Sequence, residues 1–258
     1  MCAPGEMIVP LSSPMKAVGE NGEERSSMCS LVSGTSFSTA LVAGAMAFLK
    51  SIHPDWSPAA LTSSVMTTAD PVKIMCDADM LGIGSGVLNV DKARNPGLVY
   101  DIEPLEHIQY LHARKFDFNH LSAKYYATLI DIAKKDKTTI HPRDMNLPIL
   151  GAAFLEHEKN WTFKRRSKNV GVPSSTYVCH VEKVDGLEII PQPCELTFEN
   201  LNEVNGYELQ VSVVDWTKGR TYGFRTHVEW RCGNYVVRSP IVILRSSLIK
   251  PPEKIKKT

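Results

Sequence analysis

The residues best suited to chemistry lie at the start of an apolar segment. Gly34-Thr35-Ser36 leads directly into FSTALVAGAMAFL, which occupies residues 37–49. A serine hydroxyl attacks a carbonyl only when a base takes its proton, and the resulting oxyanion needs hydrogen-bond donors. A helix N-terminus offers free backbone N–H groups, so Ser36 would supply its own N–H as one oxyanion donor. On these residues alone, a buried helix with an ordinary Ser or Thr cap is the simpler interpretation, because short motifs recur by chance.

Two helices are expected to position this serine. The segment after Ser36 is apolar on nearly every face, so we predict a helix buried within a layered core. Gly34 is expected to allow a sharp entry into that helix which a Cβ would obstruct. A second helix is predicted to begin at Pro58, with Ser57 as its N-cap, and to stop before Pro71.

Several motifs follow one another in a fixed order along the chain. Residues 34–44 read GTSFSTALVAG, residues 53–60 read HPDWSPAA and residues 66–69 read MTTA; APG stands at 3–5, NPGLVYD at 95–101 and VRSPI at 237–241. Through these motifs the chain resembles the subtilisin-like serine proteases, and specifically the plant subtilases. The resemblance covers almost the whole chain. It implies that Ser36 is the nucleophile of a serine endopeptidase that acts on protein or peptide substrates.

The same resemblance shows what the nucleophile lacks. In the family, the general base His, its orienting Asp and the oxyanion Asn all precede the serine. The first 35 residues contain no His and no Asp, and Asn21 is too close to Ser36 to be the oxyanion Asn. The family's Pro-His after the nucleophile is Ala40-Leu41 here, which suggests relaxed packing. We therefore expect this chain to be inactive alone, with protein substrates engaged only if upstream sequence completes the site.

None of the histidines of this chain is expected to replace the missing base. All eight follow Ser36 in the sequence: His53, His107, His112, His120, His141, His157, His180 and His227. A lone histidine is more often a surface or packed residue than a catalyst, and geometry decides the matter. The alternative to a protease is therefore a non-catalytic subtilase remnant that acts as a β-sandwich interaction module.

The pattern along the chain predicts an α/β part followed by an all-β part. Residues 1–105 are interpreted as the C-terminal part of a subtilisin-like parallel-sheet domain, incomplete and expected to expose apolar surface when alone. Residues 106–148 are interpreted as a mostly helical connector. Residues 149–258 alternate in the manner of strands and are predicted to form a fibronectin-III-like sandwich with a basic tail. This last part is long enough to bury a core unaided.

Composition excludes several other functions. A net charge of +1 gives no electrostatic reason to bind nucleic acid. The sequence has no run of about 18 apolar residues, so no membrane span is predicted. The glycine-rich run at 82–87 lacks the strand and helix that a phosphate loop requires. No cofactor or metal site is predicted, since the six cysteines form no C-x-x-C pair.

Secretion has mixed support in the sequence. The family resemblance implies an extracellular protein, while the first ten residues, MCAPGEMIVP, do not form a signal peptide. Asn160-Trp161-Thr162 is a glycosylation sequon that is usable only on a secreted chain. Cys179 and Cys194 lie in neighbouring predicted strands, and both a disulfide and two separate buried thiols remain open.

Overall fold

A computed structural model describes residues 1–10, 16–18, 24–26, 31–73, 79–154 and 160–246. The mixed fold class predicted from the sequence is confirmed, because helices dominate the first half and strands the second. The basic tail, Asn21, Cys29, Cys76 and His157 lie outside the described residues.

The N-terminal part is built mainly from helices. Its elements are the antiparallel pair β1 (Lys16–Val18) and β2 (Glu24–Ser26), followed by α1 (Thr35–Ile52), α2 (Pro58–Thr67), α3 (Asp79–Gly82) and α4 (Val90–Ala93). Ser57 caps α2 as predicted, since its side chain accepts a hydrogen bond from the Ala60 N–H. Parallel pairing among the described residues of this part is limited to an isolated bridge between Cys2 and Val87. Four buried side chains form the small core, namely Leu49, Leu61, Val65 and Ala93.

Helix α1 is not buried, which corrects the expectation of a helix enclosed by a layered core. Only Ala45 and Leu49 of this helix are buried. Phe48 is 45% exposed and Leu41 is 42% exposed. The helix packs against α2 and α4, so among the described elements it is covered on one side only. The apolar surface expected on this part of the chain is therefore present along α1.

A helical connector links the two parts of the chain. Helix α5 (Pro104–Ala113) packs against α6 (Ala123–Lys135). Glu103 and Glu106 form a capping box at the start of α5. Glu106 also holds Arg166 of the sandwich through a 2.7 Å ion pair.

The C-terminal part is a sandwich of two sheets. One sheet has the strand order β4-β11-β10-β6-β8 and the other the order β3-β5-β9-β7. The strands are β3 (Leu98–Val99), β4 (Leu150–Phe154), β5 (Asn160–Asn169), β6 (Ser175–Val181), β7 (Leu187–Gln192), β8 (Glu195–Phe198), β9 (Val204–Val213), β10 (Gly223–Cys232) and β11 (Tyr235–Arg245). All pairs are antiparallel except β4 with β11.

The sandwich has a continuous core between its sheets. Trp230 is completely buried and its ring lies 4.8 Å from that of Tyr207, centroid to centroid. The Tyr207 hydroxyl is 2.6 Å from the Tyr100 hydroxyl, so one phenol donates to the other within the core. Strands from both sheets contribute to this cluster, which gives each sheet a fully covered inner face.

Two arginines of the sandwich hold the N-terminal part in place. Arg238 donates to the backbone carbonyls of Ala69 and Ser85, at 2.7 and 2.8 Å. Arg225 donates to the carbonyl of Gly84. Burial lowers the pKa of both arginines below the ordinary value for arginine. A guanidinium group stays protonated in proteins, so these contacts are charge-assisted hydrogen bonds across the junction.

Candidate active site

Ser36 is the second residue of α1, and its side chain is exposed. No described residue forms a hydrogen bond with its hydroxyl. The backbone N–H groups in a first helical turn have no partner four residues back, so the helix start offers donors beside the hydroxyl. The structure thus presents Ser36 to solvent at a helix N-terminus, which is the placement expected of a nucleophile.

The N-terminal segment supports the start of α1. The Gly34 N–H donates to the Gly5 carbonyl at 2.7 Å, and the Ser38 hydroxyl donates to the Ala3 carbonyl at 2.9 Å. Ile8 and Val32 form an antiparallel bridge that continues this contact. The APG motif at residues 3–5 therefore lies directly against the turn that carries Ser36.

The glycine that the site requires is Gly5 rather than Gly34. Gly34 has extended backbone, with φ of 161°, and an added Cβ would approach Phe37 no closer than 3.7 Å. The expectation that a Cβ at Gly34 would obstruct the entry is therefore wrong. A Cβ on Gly5 would lie 2.1 Å from the Ser38 hydroxyl oxygen, so the close approach of the two segments excludes a side chain there. Sequence reasoning recognised the APG motif without finding this role.

His53 lies at the opposite end of α1 from Ser36. The helix rises about 1.5 Å per residue, which separates the two residues by roughly 25 Å. The His53 ring stacks on Trp56 at 3.8 Å, and its Nε2 atom is 2.8 Å from the Arg94 carbonyl oxygen. This histidine fixes the end of the helix and does not reach the serine.

The remaining histidines whose side chains are described either have partners other than Ser36 or are exposed in other parts of the chain. The Nε2 atom of His112 is 2.9 Å from the Ala133 carbonyl oxygen, inside the connector. His227 lies in the sandwich, with Nδ1 2.9 Å from Glu182 and Nε2 3.2 Å from Glu229. His107 and His180 are exposed, and His141 accepts the Arg143 N–H. None of these side chains forms a hydrogen bond with Ser36.

A cavity of about 560 Å³ lies at the junction of the two parts, away from Ser36. Ala69 and Asp91 line it from the N-terminal part, and Glu229 and Arg238 line it from the sandwich. Ser36 does not line this cavity. The cavity is consequently not the substrate cleft that a nucleophile at Ser36 would serve.

Helix α1 also has the length and composition of a membrane-spanning helix. Helix α1 is 18 residues long and has a mean hydropathy of 1.3. No such segment was predicted from the sequence. Core helices of soluble proteins have the same length and composition, so this feature is weak evidence for a membrane span.

Comparison with known families accounts for both parts of the chain. The model of the subtilase family matches residues 2–98, which include Ser36 and all of α1. The model of the fibronectin type-III domain matches residues 144–243, which include β4 to β10 and most of β11. The order of the two matches agrees with the order of the two parts in the structure.

Named relatives cover nearly the whole chain. The subtilisin-like protease SBT4.3 of Arabidopsis thaliana is 34% identical over 247 residues, which are 93% of this chain and 33% of the relative. The subtilisin-like protease SBT3 of Solanum lycopersicum is 34% identical over 228 residues, or 82% of this chain and 29% of the relative. The chain thus spans about a third of the length of the curated relatives it matches.

Solved structures give only distant matches. Domains 4 and 5 of the S-layer protein SbsC match 36% of this chain and 47% of that chain, at 14% identity and a TM-score of 0.25. This likeness carries no structural inference. The sequence relatives and the two family matches do: they show a subtilase-family segment at residues 2–98, followed by a fibronectin type-III domain at residues 144–243, in a chain similar to plant subtilisin-like proteases.

Proposed function

We propose that this chain carries the nucleophile of a subtilisin-like serine endopeptidase, with Ser36 as the attacking residue. The single observation that carries this proposal is the exposed Ser36 at the N-terminus of α1, within the segment matched by the subtilase family. In the proposed reaction the Ser36 Oγ attacks a peptide carbonyl and its proton passes to a histidine base. The histidine gives this proton to the leaving amine as the peptide C–N bond breaks and the acyl-enzyme forms. Water then hydrolyses the ester, which releases the acid product and restores the Ser36 hydroxyl.

The base, its orienting carboxylate and a second oxyanion donor would come from residues outside this 258-residue chain. This follows from the family order, in which these groups precede the serine. The described histidines have other partners or lie exposed in the connector and the sandwich, which supports assigning the base to another segment. The Ser36 N–H would remain as one oxyanion donor.

We further propose that the 258-residue chain is inactive on its own. Without a base, the Ser36 hydroxyl keeps its proton and is a weak nucleophile. The runner-up function is a non-catalytic role in which the sandwich acts as an interaction module. The continuous core of the sandwich supports this alternative, because all of its buried residues except Leu98 and Tyr100 lie between residues 150 and 243.

Location and partners follow from the family. The relatives are named as proteases, so we propose protein or peptide substrates and an extracellular location for the completed protein. We assign α1 to the interior of the completed peptidase domain rather than to a membrane. Its place inside the subtilase match supports this assignment.

A fluorophosphonate probe separates the two proposals. The 258-residue chain should remain unlabelled at Ser36. A chimera in which the preceding part of tomato SBT3 is joined to Met1 should be labelled and should cleave a peptide substrate. Ser36→Ala in the chimera should abolish both signals. Ser51→Ala, at the exposed far end of the same helix, is the matched control and should retain them.

Each result has a distinct meaning. Labelling of the 258-residue chain that is lost on Ser36→Ala would overturn the proposed inactivity and keep the nucleophile. A folded chimera that remains unlabelled would overturn the nucleophile assignment and favour the non-catalytic alternative. Folding of the chimera is checked by a cooperative thermal transition, so that an unfolded product is not mistaken for an inactive one.

A further inference from the structure

Two cysteines face each other across the edge of the five-stranded sheet. Strand β8 is the edge strand and pairs with β6, with Val178 opposite Glu195. One residue further along this antiparallel register, Cys179 stands opposite Cys194. The Cys179 N–H donates to the Cys194 carbonyl at 2.8 Å, which shows that the pairing extends to these residues.

The register places the two side chains on the same face of the sheet. Directly opposite residues in a hydrogen-bonded antiparallel pair have Cα atoms about 5.5 Å apart. A disulfide bond spans Cα separations of about 4.4–6.8 Å, so two residues paired in this way lie within its reach. The two thiols also interact electrostatically, since Cys194 contributes to raising the pKa of Cys179.

A third cysteine on the same sheet lies in a less favourable position. Cys179 is opposite Trp230 of β10, whereas Cys232 is two residues further along that strand. Such a diagonal neighbour is about 7–8 Å away, which exceeds the reach of an unstrained disulfide. The sheet therefore selects Cys194 over Cys232 as the partner of Cys179.

We propose that Cys179 and Cys194 form a disulfide that ties the edge strand β8 to β6 when the chain meets a disulfide oxidant such as oxidised glutathione. This modification is independent of the proposed protease function, since neither cysteine belongs to the peptidase segment. We thus favour a disulfide over the two separate buried thiols that the sequence also allowed.

The exposure of the two thiols sets the order of the reaction. Cys194 is exposed, so its thiolate attacks one sulfur of oxidised glutathione and releases one glutathione thiolate. The Cys179 thiolate then attacks the Cys194 sulfur of the mixed disulfide and releases the second glutathione. The two cysteines lose two electrons and two protons in total, and the oxidant gains them as two glutathione thiols.

The second step is the slower one. Burial raises the pKa of the Cys179 thiol to about 12, so only a small fraction is thiolate at neutral pH. As long as the pH stays below that pKa, each increase of one pH unit raises the thiolate fraction of Cys179 tenfold. Ring closure should therefore accelerate about tenfold per pH unit, while the mixed disulfide on Cys194 accumulates first.

The bond would stabilise the sandwich through its unfolded state. Joining Cys179 to Cys194 closes the loop between β6 and β8, which crosses to the other sheet as β7, and this closure restricts the unfolded chain. The bond would also hold β8, a strand of four residues, against β6. Edge strands of this length have few other constraints.

The test uses the full 258-residue chain, incubated at pH 8.5 with oxidised glutathione or with dithiothreitol. Peptide mapping by mass spectrometry without reduction should find a peptide containing Cys179 linked to one containing Cys194. The thermal midpoint of the sandwich, followed by tryptophan fluorescence, should be roughly 5–15 °C higher in the oxidised sample. Cys194→Ser should lose both the link and the shift.

Cys232→Ser is the matched control, because it removes a thiol of the same sheet and should keep the link and the shift. Linkage of Cys179 to Cys232 would overturn the proposal. A stable mixed disulfide on Cys194 that never closes at pH 8.5 would also overturn it. If Cys194→Ser lowers the reduced midpoint, the link itself, read by mass spectrometry in the wild-type chain, still decides the outcome.

Discussion

The two parts of this chain bury their apolar residues to very different extents. In the sandwich, Phe198 is 0% exposed and contacts Tyr177 with ring centroids 5.9 Å apart. In α1, Phe48 is 45% exposed. Both residues belong to apolar patterns that a sequence reader would assign to a core. The difference teaches that an apolar pattern predicts burial only when the chain also supplies the surface that covers it.

The source of the covering surface explains the contrast. Each sheet of the sandwich covers the inner face of the other, and both are built from residues 98–245. Helix α1 is apolar on most faces, and the described elements that pack against it, α2 and α4, reach one side. In energetic terms, the sandwich gains the free energy of apolar burial from within, whereas α1 leaves much of that free energy unrealised.

The largest expected effect comes from truncating the same residue type in each part. Phe198→Ala should lower the free energy of unfolding of the sandwich by about 3–5 kcal/mol, because it leaves a cavity in a closed core. Phe48→Ala should change stability by less than about 1 kcal/mol, since much of its ring is already in water. Urea unfolding of the full chain, followed by tryptophan fluorescence, measures both.

Similar losses in the free energy of unfolding of the two variants would contradict the difference in burial between the two parts. A large loss for Phe48→Ala would mean that α1 is covered in solution, for example by association between chains. Repeating the measurement at several protein concentrations distinguishes that case, because association makes the midpoint depend on concentration.

The second largest expected effect is a loss of stability of the sandwich at alkaline pH. Burial raises the pKa of Tyr100 and of Tyr207. The folded state keeps both protons above pH 10, where unfolded tyrosines release theirs, so stability is complete below pH 10 and is lost as pH rises. Each buried phenol should lower the free energy of unfolding by at most about 1.4 kcal/mol at pH 11. Tyr100 and Tyr207 both belong to the core of the sandwich, so this effect belongs to that part of the molecule.

Urea midpoints at pH 8, 10 and 11 measure this dependence. Tyr207→Phe removes one titrating phenol and should make the loss between pH 10 and 11 shallower, whatever it does to stability at pH 8. Tyr222→Phe is the control, since Tyr222 is 47% exposed and its replacement should leave the slope unchanged. An unchanged slope in Tyr207→Phe would contradict the assignment.

The smallest expected effect lies in the N-terminal part. Ser57→Ala removes the side chain that caps α2 and donates to Asp101, and should cost about 1 kcal/mol. Thr62→Ala, on the exposed side of the same helix, is the matched control and should have little effect. Hydrogen exchange of the amides at the start of α2 is the measurement, because it reports local opening that global unfolding can miss. Equal exchange in the two variants would show that the cap contributes nothing.

Local signals in the sequence predicted much of this fold. Ser57 and Pro58 marked the start of α2 because capping depends on neighbouring residues alone. Alternation predicted the all-β character of residues 149–258 for a similar reason. Strand β5 lacks a clear apolar alternation, since its sequence NWTFKRRSKN is mostly charged and polar. Its inward residues include Arg165, which is 4% exposed and donates to the carbonyls of Arg143, Leu147 and Ile149. Those partners are distant in sequence, so no local pattern reveals that this arginine is satisfied when buried.

The position of the candidate site could be predicted from the sequence, but the contacts that support it could not. The motif around Ser36 predicted a serine at a helix start, and the structure places an exposed hydroxyl there. The role of Gly5 depends on how closely residues 3–5 approach Ser38, which the sequence does not specify. The burial of α1 was overestimated because the composition of a helix does not state which elements lie beside it.

The arginine contacts at the junction have a consequence for how the chain would respond to cleavage. Arg238 and Arg225, both on the sandwich, hold the carbonyls of Ala69, Gly84 and Ser85. The connector helices lie between these partners in the sequence and take no part in those hydrogen bonds. A cut within α5 or α6 would therefore leave two fragments held together without a covalent link, and a nicked molecule would still migrate as one particle until a denaturant separated its pieces.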